Sequence, residues 1–364
     1  RVSPPTRQGK SERVTMEMTC RGLRRGLRGA SRRLPLRRRP GSRTLSSGAE
    51  PASSPTVCSL SSLLGHLSLE RLEQDLFRGA SIDPGWGRVF GGQVLAQALS
   101  AAQATTEPGR SAHSLHSYFL RPGDVSRPII YDVERIRDGA SFSARRVKAV
   151  QNGKDIFFLT ASFHDPESNQ YEHQDVEDLS HIPDPELCRP VWDHMSDYTH
   201  LVPEKARQQF ESTFGPESPI ELRPAMVFQS PTDPKKRPPV NALWIRAKDG
   251  ELPLSSTESA DTVNNVHRAL LSYASDYGLL ETALQPHAVS LWGRKMQVAT
   301  VDHSMWFHHD FRIDDWLLHR IHSPAASAGR GFCTGEVLDR TGRLVANTSQ
   351  QGLMRKLKKK KLYI

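Results

Sequence analysis

Three side chains in the carboxyl-terminal half have types and spacing suited to handling a water molecule. Asp276, in Ser275-Asp276-Tyr277, falls within an apolar series of Val266, Ala269, Leu270, Tyr273, Tyr277, Leu280, Ala283 and Leu284. The three-to-four spacing predicts a helix over residues 261–283. A carboxylate on the buried face of a helix is costly unless it is paired or hydrogen-bonded. Two readings follow: a structural Asp held by an arginine or by strand N–H groups, or a general base in a partly dry pocket. Downstream, a strand is predicted over 297–308. Val298, Thr300, Asp302, Ser304 and Trp306 share one face, and Ala299, Val301, His303, Met305 and Phe307 the other. A strand Thr is usually there for its β preference, but Thr300 stands near the strand's start, where a hydroxyl reaches a helix laid across the sheet. In the last predicted strand, 344–355, Leu344, Ala346, Thr348, Gln350 and Met354 form the more apolar face. That favours Gln350 over Gln351 as the inward side chain.

Other constellations carry less. His303, His308, His309 and Asp310 are close in sequence, but His303 and His308 point to opposite faces of a strand and no His-x-x-x-His helix is present. No metal site is expected. Gly91-Gly92-Gln93 at a predicted helix start brings backbone N–H groups where an anion or carbonyl is bound. The third glycine of a dinucleotide fingerprint is missing. No Gly-x-Ser-x-Gly elbow occurs, so a covalent serine hydrolase is not expected.

These residues need elements to position them. In the first half, a helix is predicted over 90–104, followed by strands over 114–120, 129–137, 141–151 and 155–162, with Gly123, Gly139 and Gly153 at turns. Residues 165–218 are polar and Pro-rich, with one helical piece near 204–214. A segment of that length joins domains or wraps one of them. Strands over 220–224 and 242–248, the helix over 261–283, and strands over 297–308, 316–322, 331–338 and 344–355 then repeat the first order. His116-Ser117-Tyr118-Phe119 answers His303-Ser304-Met305-Trp306, and Asn152-Gly153-Lys154 answers Thr341-Gly342-Arg343. A tandem α+β protein is expected, each antiparallel sheet wrapped around a central long helix. Its parts are a leader over 1–59, a first repeat over 60–164, a linker over 165–218, a second repeat over 219–355 and a basic tail over 356–364.

The chain has 364 residues and a formal net charge of +9. Residues 1–50 hold thirteen Arg and Lys10 against Glu12, Glu17 and Glu50, a net +11, so the rest nets −2. The last ten residues hold six basic side chains, leaving about −8 on the body. A nucleic-acid binder carries its basic footprint on the folded domain, so no nucleic-acid partner is expected. No run approaches the roughly 20 apolar residues of a membrane span, and a soluble globular protein with disordered ends is expected. Cys20, Cys58, Cys188 and Cys333 have neither metal nor disulfide-framework spacing, which suits a reducing compartment. Residues 18–48 are rich in Arg, Ser, Leu and Gly and contain no acid. They read as an organelle transit peptide or as an unstructured leader. The end, Lys360-Lys361-Leu362-Tyr363-Ile364, is not a Ser-Lys-Leu address.

Taken together, the motifs resemble a known family. In the first half these are Phe90-Gly91-Gly92-Gln93, His116-Ser117-Tyr118-Phe119, and the run from Glu134-Arg135-Ile136 to Ser141-Phe142. In the second they are Ser275-Asp276, Ala283-Leu284-Gln285-Pro286-His287, Asp302-His303-Ser304-Met305-Trp306-Phe307-His308 and Gln350-Gln351-Gly352. Over roughly residues 60–355 the chain is similar to acyl-CoA thioesterases of the bacterial thioesterase II and peroxisomal acyl-CoA thioesterase 8 type. The resemblance implies a tandem (double) hot-dog fold and hydrolysis of fatty acyl-CoA to free fatty acid and CoA, with no cofactor, metal or acyl-enzyme. It puts the catalytic aspartate, hydroxyl residue and glutamine at Asp276, Thr300 and Gln350. Gly91, Gly92, Gln93 and His303 are the candidate substrate contacts. The family implies the peroxisome matrix; the departures at both ends leave the mitochondrial matrix or cytosol as alternatives. Hot-dog surfaces commonly pair, so a homo-oligomer fits. The rival readings are a hot-dog enoyl-CoA hydratase, which needs an Asp/His pair across the site, and a non-catalytic acyl-CoA-binding protein.

Overall fold

A computed structural model describes residues 59–175, 178–248, 252, 259–292 and 296–357. The expected leader, most of the basic tail, Cys20 and Cys58 lie outside the described residues. Helix α1 (Leu60–Leu67) and the short pair β1 (Glu70–Glu73) and β2 (Leu76–Gly79) precede helix α2 (Gly91–Gln103). Strands β3 (Ser111–Phe119), β4 (Ile129–Asp138), β5 (Phe142–Gln151) and β6 (Lys154–His164) complete the first half. Two further helices, α3 (Val191–Ser196) and α4 (Glu204–Phe214), lie in the connecting segment. The second half holds β7 (Ile220–Pro224), β8 (Val240–Ala247), α5 (Ala260–Ala274), α6 (Leu279–Leu284), β9 (Met296–Phe307), β10 (Leu317–Ser327), β11 (Arg330–Asp339) and β12 (Leu344–Lys356).

The described strands form one antiparallel sheet in the order β1-β2-β4-β5-β6-β3-β9-β12-β11-β10-β8-β7. Reading inward from each edge, the two halves have the same order, and they join at β3 and β9. Each half closes its long hairpin with a glycine in the left-handed region, Gly153 (φ 68°) between β5 and β6 and Gly342 (φ 82°) between β11 and β12. This is the turn chemistry that a tight hairpin requires.

The His-Ser repeat is displaced by one residue in space. At the β3–β9 junction His116 pairs with Ser304 and Ser117 with His303. Side chains alternate along a strand, so His116 lies on the open face while His303 lies inside. The structural correspondence is carried instead by two bulges. β3 skips His113 between Ala112 and Ser114, and β9 skips Val301 between Thr300 and Asp302.

Helix α2 packs its small and apolar residues, among them Val94, Leu95, Ala98, Leu99 and Ala102, against the first half of the sheet. The expected single helix over 261–283 is two helices. Ser259 caps α5 by accepting from the Thr262 N–H at 3.3 Å, and α5 ends at Ala274. Gly278 adopts φ 84°, which an α-helix cannot continue through. Helix α5 lies along α2, whereas α6 packs on β10, β11 and β12. The connecting segment wraps both halves. Ser212 donates to the Pro84 carbonyl at 2.9 Å, and the Trp244 indole N–H donates to the Pro183 carbonyl at 2.9 Å. Helix α4 stands where a helical piece was expected; α3 was not read from the sequence.

Gly278→Ala tests the break between α5 and α6. A Cβ there meets left-handed backbone and would lie 3.0 Å from Ile321 Cδ1. We expect destabilisation of about 1–3 kcal/mol in urea unfolding, and an unchanged midpoint refutes the role assigned to this turn.

Candidate active site

Asp276 does not lie within a helix. It stands in the turn after α5, at the point where the N-terminus of α2 arrives from the other half. Helix α2 has no side-chain cap and no acid in its first turn. Its leading N–H groups lack acceptors inside the helix, and Asp276 supplies one, taking a hydrogen bond from the Gly92 N–H. Close approach explains both glycines. A Cβ on Gly91 would sit 2.6 Å from Asp276 Oδ2, and one on Gly92 would sit 2.2 Å from the Tyr273 carbonyl oxygen.

The bulge in β9 brings Thr300 into the same site. Asp302 pairs with Gln351, but Thr300 pairs with Gly352, leaving Val301 as the extra residue. The expected alternation puts Thr300 with Asp302 and Ser304, away from His303. A bulge shifts the alternation by one, and Thr300 turns inward beside His303 and Gln350. Thr300 Oγ1 donates to Asp276 Oδ1 at 3.2 Å, and Gln350 Nε2 donates to Thr300 Oγ1 at 3.3 Å. The Gln350 amide also bonds the carboxylate. Gln350 is fully buried, as the face pattern of its strand indicated.

Burial pushes the Asp276 carboxyl up to about 6, against the opposing pull of Thr300, Gln350, the Gly92 N–H and the Arg88 guanidinium. Burial likewise pushes the Tyr273 hydroxyl to about 12 and holds the Tyr277 hydroxyl well above its ordinary value. Both rings pack on Phe90, with centroids 5.1 and 5.0 Å away. Beyond Tyr277 and Gly278 opens a cavity of about 70 Å³, walled by Phe214, Leu222, Leu243 and Trp292 with Glu281 also lining it. An ionised Asp276 in this setting can accept a proton from a water held by its neighbours.

The remaining candidates fall elsewhere. Gln93 is fully buried, and its amide is committed to structure. Its Oε1 accepts from the Ile82 N–H at 3.2 Å, and its Nε2 donates to the Ala80 carbonyl at 2.9 Å. With both ends of the amide engaged, Gln93 pins the segment before α2 and has no group left for a substrate. His303 is 1% exposed, and its Nδ1 lies 2.5 Å from Gln350 Oε1. His308 is separate, its Nε2 hydrogen-bonded with Asn347 Oδ1 at 2.8 Å. Among the described residues no three His, Cys, Asp or Glu side chains gather as metal ligands, and no helix is long and apolar enough to cross a membrane. The sequence reading gave no part to Ser275, whose hydroxyl lies 3.0 Å from His303 Nε2. Its place next to Asp276 was the available signal.

Two hot-dog units that meet at the half-buried Asp276 carboxylate define the class, a double hot-dog protein. The comparisons specify it further. Residues 241–353 match the family model described as acyl-CoA thioesterase, and residues 82–164 match that of the acyl-CoA thioesterase N-terminal domain. The chain is 39% identical to acyl-CoA thioesterase 2 of Haemophilus influenzae over 296 residues, 81% of this chain and 98% of the relative. It is 37% identical to acyl-coenzyme A thioesterase 8 of Homo sapiens over 298 residues, covering 79% and 87%. It is 26% identical to peroxisomal acyl-coenzyme A thioester hydrolase 1 of Saccharomyces cerevisiae over 300 residues, covering 72% and 84%. The crystal structure of acyl-CoA thioesterase II TesB2 from Mycobacterium marinum superposes with a TM-score of 0.62 at 33% identity, covering 81% of this chain and 98% of that one. The chain belongs to the acyl-CoA thioesterase family, thioesterase II type, and is an acyl-CoA thioester hydrolase.

The raised carboxyl has a consequence for stability. A proton on Asp276 favours the fold, and that contribution is full below about pH 4 and lost as pH rises through about 6. Asp276→Asn removes the charge and escapes the loss. We expect the variant to match the wild type at pH 4 and to exceed it at pH 8 by up to about 3 kcal/mol in urea unfolding. A variant less stable at pH 8 contradicts this account of the site.

Proposed function

We propose that Asp276 is the general base of this thioesterase and that Thr300 and Gln350 orient the water it activates. The observation that carries the reading is the convergence of the Thr300 hydroxyl and the Gln350 amide on a half-buried carboxylate whose pKa desolvation pushes up to about 6. A carboxylate in this range is ionised at neutral pH yet basic enough to accept a proton from water. The water oxygen bonds to the thioester carbon as Asp276 takes its proton. The resulting oxyanion is favoured by the positive end of the α2 dipole. Collapse breaks the C–S bond, and the proton held by Asp276 passes to the departing CoA sulfur. No acyl-enzyme forms. We assign the cavity beyond Tyr277 to the start of the acyl chain, and fatty acyl-CoA in fatty-acid metabolism as the substrate class.

The hydratase alternative needs a histidine at the substrate, whereas His303 is 1% exposed and its Nδ1 is engaged with Gln350. Asp276→Asn should fold normally by circular dichroism and release thiol from palmitoyl-CoA 10²–10⁴-fold more slowly. Wild-type kcat/KM should rise with pH through about 6 and then level off, following ionisation of the base. Near-normal turnover by the folded Asn variant would end the assignment, and hydration of an enoyl-CoA without thiol release would replace it.

For the compartment we carry over the peroxisome named for the yeast relative. Imaging the protein with its carboxyl terminus free should give peroxisomal puncta. A mitochondrial or diffuse pattern contradicts this.

A further inference from the structure

We propose that His303, in its Nδ1–H tautomer, is a positioning residue that sets which way the Gln350 amide faces, and so fixes the donors around Asp276. The proposal rests on the reading of Asp276 as the base.

A carboxylate only accepts hydrogen bonds, so at 3.2 Å the Thr300 hydroxyl must donate to Asp276 Oδ1. Its single proton is then used, and its oxygen accepts from the Gln350 amide at 3.3 Å. The amide therefore turns its nitrogen toward Thr300 and Asp276, and its oxygen toward His303. Gln350 Oε1 and His303 Nδ1 are 2.5 Å apart, so Nδ1 carries the ring proton. In a neutral imidazole the other nitrogen is then an acceptor. His303 Nε2 takes the Ser275 hydroxyl proton at 3.0 Å. That hydroxyl also lies 2.9 Å from the Ser272 carbonyl, but among the described residues the bare ring nitrogen has no other donor. Ser275 is bonded to Asp276 through the backbone, so the network closes on itself.

A glutamine amide is nearly symmetric in shape, and something must choose between its two orientations. Among the hydrogen bonds of the described residues, Gln350 Oε1 has His303 as its partner. Gln350 and His303 are 0% and 1% exposed, so bulk water cannot replace that donor. Without it the amide can rotate and set its oxygen against Thr300 and the carboxylate, placing acceptor against acceptor. Burial holds the His303 imidazole down at about 4. The ring charge nearest it belongs to His319 on β10, which burial also keeps neutral. Asp276 is the ionisable group across the network. His303 thus stays neutral while Asp276 titrates, and it moves no proton during catalysis.

Side-chain isosteres separate this role from simple packing. In Asn the amide nitrogen falls where Nδ1 of His lies, and in Gln where Nε2 lies. His303→Ala and His303→Gln should lower kcat by about 10–100-fold, as loss of an orienting partner typically does, with KM little changed. Both should also move the kcat/KM inflection to higher pH, because a donor to the carboxylate is lost. His303→Asn should recover most of the lost kcat and restore the inflection. Equal impairment, or equal activity, of the Asn and Gln variants overturns the proposal. Nitrogen-15 spectra of the wild-type imidazole decide independently of variant folding. A neutral Nδ1–H ring from pH 5 to 8 is expected, and an Nε2–H or protonated ring overturns the proposal. Retained activity in Asp276→Asn would instead defeat the base assignment itself, which makes the two failures distinguishable.

Discussion

Burial of the Asp276 carboxylate costs more than its hydrogen bonds return, which is why it titrates near 6 rather than near 4. Much of the junction between the halves follows from keeping that group charged and out of water. The first turn of α2 must come close enough to offer the Gly92 N–H, so Gly91 and Gly92 cannot carry side chains. Helix α5 must stop at Ala274, so that the carboxylate can turn off the helix end toward α2. The aromatic rings of Phe90, Tyr273 and Tyr277 then close the space around it. The same desolvation that weakens the fold at neutral pH raises the basicity of the group. In the proposed mechanism, stability and reactivity are set against each other at this one group.

The hydrogen-bond network limits that cost. Ser275, His303, Gln350 and Thr300 form an ordered chain of hydrogen bonds that ends on the carboxylate. Buried polar networks rigidify a site when every member is satisfied and destabilise it when one is not. That dependence explains how a histidine with no open face can sit beside the proposed base and its partners. It also explains why an enzyme without a metal or nucleophile in its proposed mechanism still needs an interior this polar.

Periodicity carried most of what the sequence disclosed, and the site departs from the sequence reading where periodicity stops. Gln350 was found because strand β12 alternates strictly around it. Thr300 was assigned to the wrong face by the same rule, because a bulge at Val301 leaves no mark in residue type. The apolar stripe from Val266 to Leu284 reads as one helix, and Asp276 accordingly as a helical residue. The break depends on the backbone of Gly278, and a lone glycine within a helical pattern is usually tolerated. Gln93 was read as a substrate contact from its place after Gly91-Gly92 at the helix start; it is buried and its amide is bonded to the chain before α2 and to Gln97. The order of strands was legible twice over, but the His-Ser match that suggested the repeat is one residue out of phase with the sheet.

Once the bulges are aligned, the two halves can be compared position by position, and the comparison accounts for a single site. Thr300 and Ala112 each precede the residue skipped in their strand. Counting from there, His303 corresponds to Leu115, and their partners across the ladder, Gln350 and Ala161, correspond to each other. Ala112, Leu115 and Ala161 are all buried and apolar. The first half thus keeps the backbone geometry, including the bulge that turns a side chain inward, but fills the three positions with hydrocarbon. A symmetric pair of identical units would have to bury two such polar networks and two carboxylates. Joining the halves in one chain lets their sequences diverge, so that one supplies the helix N-terminus and an apolar floor while the other supplies the carboxylate and its donors. The desolvation of charge is then borne once, and the first half contributes the packing that sustains it.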